Sequence, residues 1–356
     1  MLTPAHLRAN ALVKLGELTG RTHALPVVMF SPTARCNSRC VSCDWWRADG
    51  AGDLSLDEIG ALAAALPRFG TRVVALTGGE PLVRPDIMQV ADLFRARGME
   101  LQLLTSGLAL GRHADEIASR FQTVTVSLDG HTPELYWAIR GVDGLEAVVA
   151  GVRKLRARAP HVGVWARSTL HRLNFRHVAD LIAKSRAIGL DQISFLAADV
   201  SSDAFNRAPA LPRVADDVTS GTAPARLLLT AEEADELEAI VEGVIRTHAR
   251  DFDEHRIAPD PAGMRRLVRY YRAHLGQCDF VAPACNAPWA SVFIEADGAV
   301  RPCFFHPPVG NLRQRPLAEL LADALPAFRT GLHVATNALC TRCVCSLKVG
   351  LRSKLW

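Results

Sequence analysis

The sequence predicts an α/β protein, an open six-stranded (β/α) barrel followed by a smaller C-terminal α+β module. Three observations predict it. Between residues 27 and 200, short β-branched runs alternate with segments of helical apolar period, giving six strands separated by five helices. Chemistry-bearing residues collect at the C-terminal ends of those strands, the edge where parallel βα repeats carry functional loops. The cysteines fall into two distant groups, Cys36, Cys40 and Cys43 near the start and Cys278, Cys285, Cys303, Cys340, Cys343 and Cys345 near the end. A chain of 356 residues accommodates one large domain plus an appendage.

Residues 1–26 form a lead-in, an amphipathic helix carrying Leu7, Leu12, Leu15 and Leu18. Residues 27–200 form the barrel. Its first strand is Val27–Ser31, and the first cysteine loop follows directly. A helix over Leu54–Leu66 opens at Ser55 with Glu58 three residues on, the capping-box pattern. Val73–Thr77 is a strand ending in a Gly-Gly turn. Pro85–Arg97 reads as a helix with Pro first, Asp86 in its first turn and Gly98 just past its end. Strand Leu101–Thr105, short helix Ala114–Phe121 and strand Val124–Leu128 come next, the last ending in Asp129–Gly130. Gly144–Arg158 is a helix with Leu145, Val148, Val149, Val152 and Leu155 inward. Strand Val162–Thr169, helix His177–Ile188 and strand Ile193–Ala197 complete the repeat. Right-handed crossovers curve such a sheet, and an incomplete barrel leaves a lateral mouth.

Residues 201–277 form a connector. The stretch Asp199–Ala225 has no period, and reads either as a cover over the mouth or as a surface insertion. Thr230–His248 is a helix capped by Thr230 with Glu233 three residues on, and Met264–Leu275 is another. Residues 278–356 form the second module. In it, Ala290–Glu295 and Ala299–Pro302 flank the turn Ala296–Asp297–Gly298, and Leu317–Arg329 is helical.

Composition narrows the function classes. Apolar residues at 49% and charged ones at 22% exclude a disordered chain. A net charge of +4 is too weak to predict a nucleic acid or an anionic membrane as partner. No apolar run reaches spanning length, and Met1–Gly20 lacks the apolar core of a signal peptide, so a cytoplasmic protein is expected. Nine cysteines, an odd number split into two groups, suit two metal sites in a reducing compartment better than a disulfide scaffold.

The first group is Cys36-x3-Cys40-x2-Cys43, directly after an apolar strand. Thiolates so close on one loop select iron–sulfur clusters, zinc or copper(I). Zinc would want a fourth ligand, and no His or Cys lies nearby in sequence. A cubane held by three thiolates leaves one iron open to chemistry. One helix and strand later comes Thr77–Gly78–Gly79–Glu80–Pro81. This CxxxCxxC loop followed by a GGEP turn resembles the radical S-adenosylmethionine (radical SAM) superfamily. The resemblance implies a TIM-like partial (β/α)6 barrel. It implies a [4Fe–4S] cluster on Cys36, Cys40 and Cys43, with S-adenosyl-L-methionine chelating the fourth iron. Reductive cleavage of that cofactor yields a 5′-deoxyadenosyl radical, which abstracts a substrate hydrogen. Gly78, Gly79 and Glu80 match the motif that receives the cofactor's amino group. Ser106, Ser127, Asp129 and Arg167, at or near strand ends, match positions that reach the ribose and the carboxylate, with Arg167 the best carboxylate partner by chemistry. The family often has a bulky residue before the third cysteine; here it is Ser42, with Trp45 and Trp46 close behind.

The second group resembles the twitch module, the shorter relative of the SPASM extension of radical SAM enzymes. The match runs Cys285-x12-Gly298-x4-Cys303 and then Cys340-x2-Cys343. It implies an auxiliary [4Fe–4S] cluster on Cys285, Cys303, Cys340 and Cys343. Two separated cysteine pairs also suit a zinc ribbon. Cys278 and Cys345 are left over, either as replacement ligands, substrate-side groups or inert thiols. His171, His306 and His333 lie where a general base could serve, and Asp203 and Asn206 are positioned as substrate contacts; no side chain is assigned a catalytic role.

The resemblance implies an oxidoreductase or C–H-functionalising enzyme acting on a small molecule, supplied with electrons by a flavodoxin- or ferredoxin-type donor. About 25 residues before the first strand are too few for a peptide-recognition domain. A ribosomal-peptide maturase using the same sites is the alternative, and a non-catalytic metal-binding protein the second.

Overall fold

The structure is a computed structural model that describes residues 4–206 and 225–353. The lead-in helix is α1, Pro4–Thr19. Its buried side is Ala9 and Val13, while Leu7, Leu15 and Leu18 are exposed, which corrects the expected leucine stripe. Asn10 explains the inversion: its Nδ2 donates to the carbonyls of Leu351 at 3.1 Å and Ser353 at 2.9 Å, so the helix faces the C-terminal segment.

The barrel follows as β1 (Val27–Phe30), α2 (Leu56–Ala65), β2 (Val73–Leu76), α3 (Ile87–Arg95), β3 (Glu100–Thr105), α4 (Ala114–Ala118) and β4 (Thr123–Ser127). Then come α5 (Pro133–Arg140), α6 (Leu145–Arg158), β5 (Gly163–Leu170), α7 (Val178–Ala187) and β6 (Gln192–Ala197). The expected capping box opens α2: Ser55 Oγ accepts from the Glu58 amide at 3.2 Å, and Glu58 Oε2 from the Ser55 amide at 2.8 Å. Helix α3 starts two residues later than its proline suggested. Arg84 is buried there, donating to the carbonyls of Pro32 and Leu54 at 2.6 and 2.8 Å and to Asp86 at 2.6 Å, and this holds the chain out of helix. Helix α5 is an element the apolar period did not disclose. Its ends are nonetheless conventional: Thr132 Oγ1 accepts from the Leu135 amide, Pro133 opens it, and Gly141 closes it at φ +65°.

Strands β1 to β6 are parallel neighbours in chain order. In β4, β5 and β6 burial alternates. Val124, Val126, Val164, Ala166 and Leu170 are buried, while Thr125, Ser127, Arg167 and Thr169 are only partly so. The partly buried set shares one face of the pleat and is mostly polar, Gly163, Trp165 and Leu196 being the exceptions, a period of two that leaves polar side chains for the barrel interior.

The connector contains α8 (Ala231–Thr247), α9 (Ala249–Asp253), β7 (Ile257–Ala258) and α10 (Pro261–His274). Both Thr230–Glu233 capping bonds form on α8. Of the aperiodic stretch 199–225, residues 207–224 lie outside the described residues.

The C-terminal module adds β8 (Ser291–Ile294), β9 (Ala299–Arg301) and β10 (Gly310–Asn311). The expected hairpin joins β8 to β9, with Gly298 at φ +88° in its turn. Here the structure goes beyond the expected separate module. Strand β8 pairs in parallel with β1, Val27 opposite Ser291, so one sheet runs β10-β9-β8-β1-β2-β3-β4-β5-β6-β7. The helix expected over 317–329 is continuous to Thr330 with a π-helical stretch at Leu320–Ala324. Among the described residues no helix is long and apolar enough to cross a membrane.

Candidate functional site

The first cysteine loop is fastened from both sides. Its Ser31 amide donates to the Ile294 carbonyl at 2.9 Å, which ties its start to β8. The amides of Arg39 and Val41 donate to the carbonyls of Arg140 and Ile139 at 2.8 and 3.0 Å, which ties its middle to the end of α5. The Asp44 amide donates to the Phe205 carbonyl at 2.9 Å.

The Gly-Gly-Glu turn packs directly on this loop. Gly78 has φ +101°, and a Cβ there would lie 1.8 Å from Ser31 Oγ; one on Gly79 would lie 2.2 Å from the Arg35 carbonyl oxygen. Only glycine fits either position. Glu80 is buried and accepts from the Leu82 amide at 3.0 Å, Thr105 Oγ1 at 2.8 Å and the Ser106 amide at 2.5 Å. Its carboxylate thus also locks the end of β3 beside the turn. Ser106 Oγ in turn donates to Asn37 Oδ1 at 3.2 Å, inside the cysteine loop.

These pieces open on one cavity of about 260 Å³ at the C-terminal edge of the barrel. The three thiols of the loop, Gly78, Gly79 and Glu80 line it, as do Ser106, Ser127, Asp129 and Arg167. Every barrel residue singled out for the cluster or the cofactor therefore shares one space. Ser42 and Trp45 also line it, whereas Trp46 points elsewhere, donating to the Cys43 carbonyl at 3.0 Å with the Arg47 guanidinium over its ring at 4.2 Å. The far wall comes from the other end of the chain: Phe304, Phe305, Val344 and Cys345, with Phe205 stacked edge-on to Phe304 at 4.9 Å.

Asp129 does more than form a turn. Its Oδ2 accepts from Arg140 Nη1 at 3.1 Å, its Oδ1 from the Thr169 amide at 2.7 Å, and its carbonyl from Asn174 Nδ2 at 3.0 Å. Arg140 lines the cavity, and its Nε is buried with no hydrogen-bond partner. Burial works against its charge, and Cys40 and Asp129 facing it outweigh burial and hold the guanidinium protonated. Sequence reasoning missed Arg140; the signal was the Thr132–Pro133 start and the Gly141 stop that bracket its helix.

The remaining candidates separate clearly. His171 is fully buried outside the cavity lining; Leu173's amide donates to its Nδ1 at 3.2 Å, and burial lowers its pKa to about 4. His306 Nε2 stands 3.3 Å from Cys340 Sγ, and His333 is exposed. Asp203 lies 3.7 Å from Arg301, and Asn206 Nδ2 donates to the Asp44 carbonyl at 3.3 Å.

At the second site, Cys285 precedes the helical turn Ala287–Ala290, Cys303 follows β9, and Cys340 sits in the helix Ala338–Thr341 with Cys343 just beyond it. The thiols influence one another: Cys303 faces Cys285 and Cys340, and Cys343 faces Cys345, Cys303 and Cys285. Cys345 also faces Arg167 across the cavity wall. Cys278 is apart, its Sγ 3.7 Å from the Arg269 carbonyl on α10.

Both donor sets fit iron–sulfur clusters. Burial pushes the Cys36 thiol up to about 11, Cys43 and Cys303 to about 12 and Cys340 to about 11, so these groups serve as thiolates only against a cationic centre. The glycines at 78–79 seat the turn against the cysteine loop, so that both line the same cavity as its thiols.

Comparison with known proteins agrees. The family model of the radical SAM superfamily matches residues 30–184, and that of the SPASM iron–sulfur cluster-binding domain matches residues 285–344. A probable GTP 3′,8-cyclase of Thermococcus kodakarensis is 39% identical over 128 residues, 35% of this chain and 42% of that protein. An Fe-coproporphyrin III synthase of Methanosarcina barkeri is 25% identical over 336 residues, 86% of this chain and 76% of that protein. The chain thus spans less than half the length of several curated relatives it matches. Among solved structures, Streptococcus suis SuiB bound to S-adenosylmethionine superposes with TM-score 0.64 at 13% identity, covering 96% of this chain and 77% of SuiB. Native anSMEcpe with bound AdoMet superposes with TM-score 0.63 at 15% identity, covering 91% and 93%. These two likenesses show the fold.

Proposed function

We propose a mechanism from one premise: the chain is a radical SAM protein with a C-terminal SPASM-type iron–sulfur module, and its cofactors are [4Fe–4S] clusters and S-adenosyl-L-methionine. In this reading residues 1–26 are the lead-in, 27–200 the catalytic barrel, 201–277 the connector and 278–356 the auxiliary module. Cys36, Cys40 and Cys43 hold the first cluster; Cys285, Cys303, Cys340 and Cys343 hold the second. Bound in the cavity, the first cluster and S-adenosylmethionine supply a 5′-deoxyadenosyl radical that abstracts a hydrogen atom from substrate.

The chain's own residues bind and orient. Gly78 and Gly79 let the turn seat against the cysteine loop at the cavity wall, and Glu80 offers a carboxylate to the cofactor's amine while fixing Ser106. Arg140, charged, buried and facing the cysteine loop, suits the cofactor's carboxylate better than Arg167 does, because Arg167 lies on the side of Cys345. Arg167 is then available to an anionic group of the substrate. Ser127 and Asp129 line the ground between them, where ribose hydroxyls find acceptors. The aromatic wall of Phe205, Phe304 and Phe305 excludes water from the reacting carbon.

The reaction class we propose is oxidation or C–H functionalisation of a small molecule, with electrons from a flavodoxin- or ferredoxin-type donor. One observation carries it: the thiols of the first loop and Val344 and Cys345, which back the second site, line a single cavity, so a cluster held by Cys285, Cys303, Cys340 and Cys343 would supply an electron acceptor behind the wall. The test is anaerobic reconstitution with iron and sulfide, then dithionite and S-adenosylmethionine, with 5′-deoxyadenosine measured. Wild type forms it and the Cys36/Cys40/Cys43→Ala variant does not; equal traces from both overturn the reading in favour of a non-catalytic metal-binding protein. Co-purification of a short peptide that takes up the modification would move the substrate class to peptides.

A further inference from the structure

Outside the cavity, one group of side chains has no part in this reading. His131 lies in the loop between β4 and α5, His177 is the residue before α7, and Asp180 sits in that helix's first turn. His177 Nδ1 stands 3.0 Å from Asp180 Oδ2, and His131 Nε2 stands 3.7 Å from the same oxygen. The imidazole rings are 4.7 Å apart, tilted by 42°. All three ligand atoms fall within 4.8 Å of one another, the one three-donor group among the described residues that does.

Hydrogen bonding explains only part of this. His177 and Asp180 pair three residues apart on one helical turn and need no third member. His131 comes from a different loop, yet 3.7 Å is beyond a hydrogen bond and its Nδ1 is buried without a partner. Neither nitrogen of this ring is satisfied by a group among the described residues, while one of them points at a ready carboxylate and a second imidazole.

We propose that His131 Nε2, His177 Nδ1 and Asp180 Oδ2 bind a divalent transition cation of the zinc class, with water as the remaining ligand. Two imidazoles and a carboxylate are the donors such a borderline ion takes in a tetrahedral site. Side-chain exposures of 23%, 37% and 54% leave the three groups free to close on an ion by small rotations. The site would act as a clamp. His131 is two residues from Asp129, and Asn174, three residues before His177, donates to the Asp129 carbonyl. A cation there cross-links the two loops that hold Asp129, and through it Arg140, against the cavity. The proposal stands on this geometry alone and does not need the radical reaction.

The test uses the full chain, reconstituted anaerobically with both clusters and dialysed against micromolar ZnCl2. We expect one zinc per chain besides the iron, with a zinc-edge X-ray absorption shell of nitrogen and oxygen only. His131→Ala and Asp180→Asn should each lower zinc retention at fixed free zinc by about tenfold or more with iron content unchanged. Should His131→Ala not fold, Asp180→Asn, at an exposed position, carries the test. No retained zinc in the wild type, sulfur in the zinc shell, or retention indifferent to the substitutions would each overturn the site.

Discussion

The first cysteine site takes three thiols from one eight-residue loop and leaves its fourth side facing a cavity. The second draws its cysteines from three segments, before β8, after β9 and at the chain's end, and none of Cys285, Cys303, Cys340 and Cys343 lines that cavity. The difference is one of cost and purpose. A short loop meets its own cysteines with little chain entropy to overcome, and its geometry can be held by backbone bonds to α5 and β8. Four ligands drawn from distant segments need a finished fold first. In exchange, a fully ligated cluster offers no coordination site to a substrate, which suits electron transfer.

The largest effects follow from ligand removal. Cys36→Ala, Cys40→Ala or Cys43→Ala should each abolish 5′-deoxyadenosine formation and lower iron from about eight to about four per chain, by cubane stoichiometry. Cys303→Ala should also remove about four irons yet leave cofactor cleavage in place. Iron analysis beside a dithionite-driven assay checks both. If Cys303→Ala silences cleavage too, the two sites are not separable in the way their geometry implies.

Next in size are the buried ion pairs, one beside each site. Asp129 and Arg140 are 6% and 12% exposed, and Glu295 and Arg301, beside the second site, are 18% and 13%. Arg140→Met strands a buried carboxylate and should cost about 3–5 kcal/mol in denaturant unfolding. It should also weaken S-adenosylmethionine binding, which Arg301→Met should not. Burial raises the Glu295 pKa, with Arg301 opposing, so its carboxyl can take up a proton when its partner is lost; Arg301→Met should cost less, about 1–3 kcal/mol. Equal costs would erase the contrast between a pair that builds the cofactor wall and one that braces a hairpin.

Acid sensitivity should sit on both sides, since burial lowers His171 in the barrel and His274 on α10 alike to about 4. Burial lowers the His171 pKa to about 4 from an ordinary 6.5, although Asp129 pulls it upward. The unfolded chain therefore binds more protons than the folded one between those values, and stability is present above pH 6.5 and lost as pH falls towards 4. At about 1.4 kcal/mol per pH unit the loss reaches roughly 3 kcal/mol. Unfolding midpoints at pH 7.5 and pH 5 should draw closer in His171→Gln and closer still when His274→Gln is added; no change with His171→Gln would exclude this ring as a source.

Much of this was legible locally. The cysteine spacing, the Gly-Gly-Glu turn, the Ser55–Glu58 and Thr230–Glu233 boxes and the Asp297–Gly298 hairpin are contiguous signals whose partners lie within a few residues. What stayed hidden depends on contacts across the chain. Arg140 sits on an eight-residue helix and becomes notable only when Asp129 and the cysteine loop arrive beside it. Strand β8 looked like half of a separate hairpin because nothing in Ser291–Ile294 announces Val27–Phe30 as its neighbour. The α1 leucines misled because Asn10, a polar residue, turned out to face inward.

Cys345 gives the smallest expected effect and the finest test of the contrast between an open and a closed site. Its thiol lies beside Cys285 and Cys343 and so borders the ligands proposed for the second cluster, but it also lines the cavity and faces Arg167. If ligation at the second site is complete with Cys285, Cys303, Cys340 and Cys343, then Cys345→Ala removes one small buried group and no ligand. Iron should stay at about eight per chain and the cluster spectra should be unchanged, as for Cys278→Ala. A fall in iron, or an altered spectrum confined to the second cluster, would make Cys345 a ligand. The second site would then reach the substrate cavity directly through its own coordination shell.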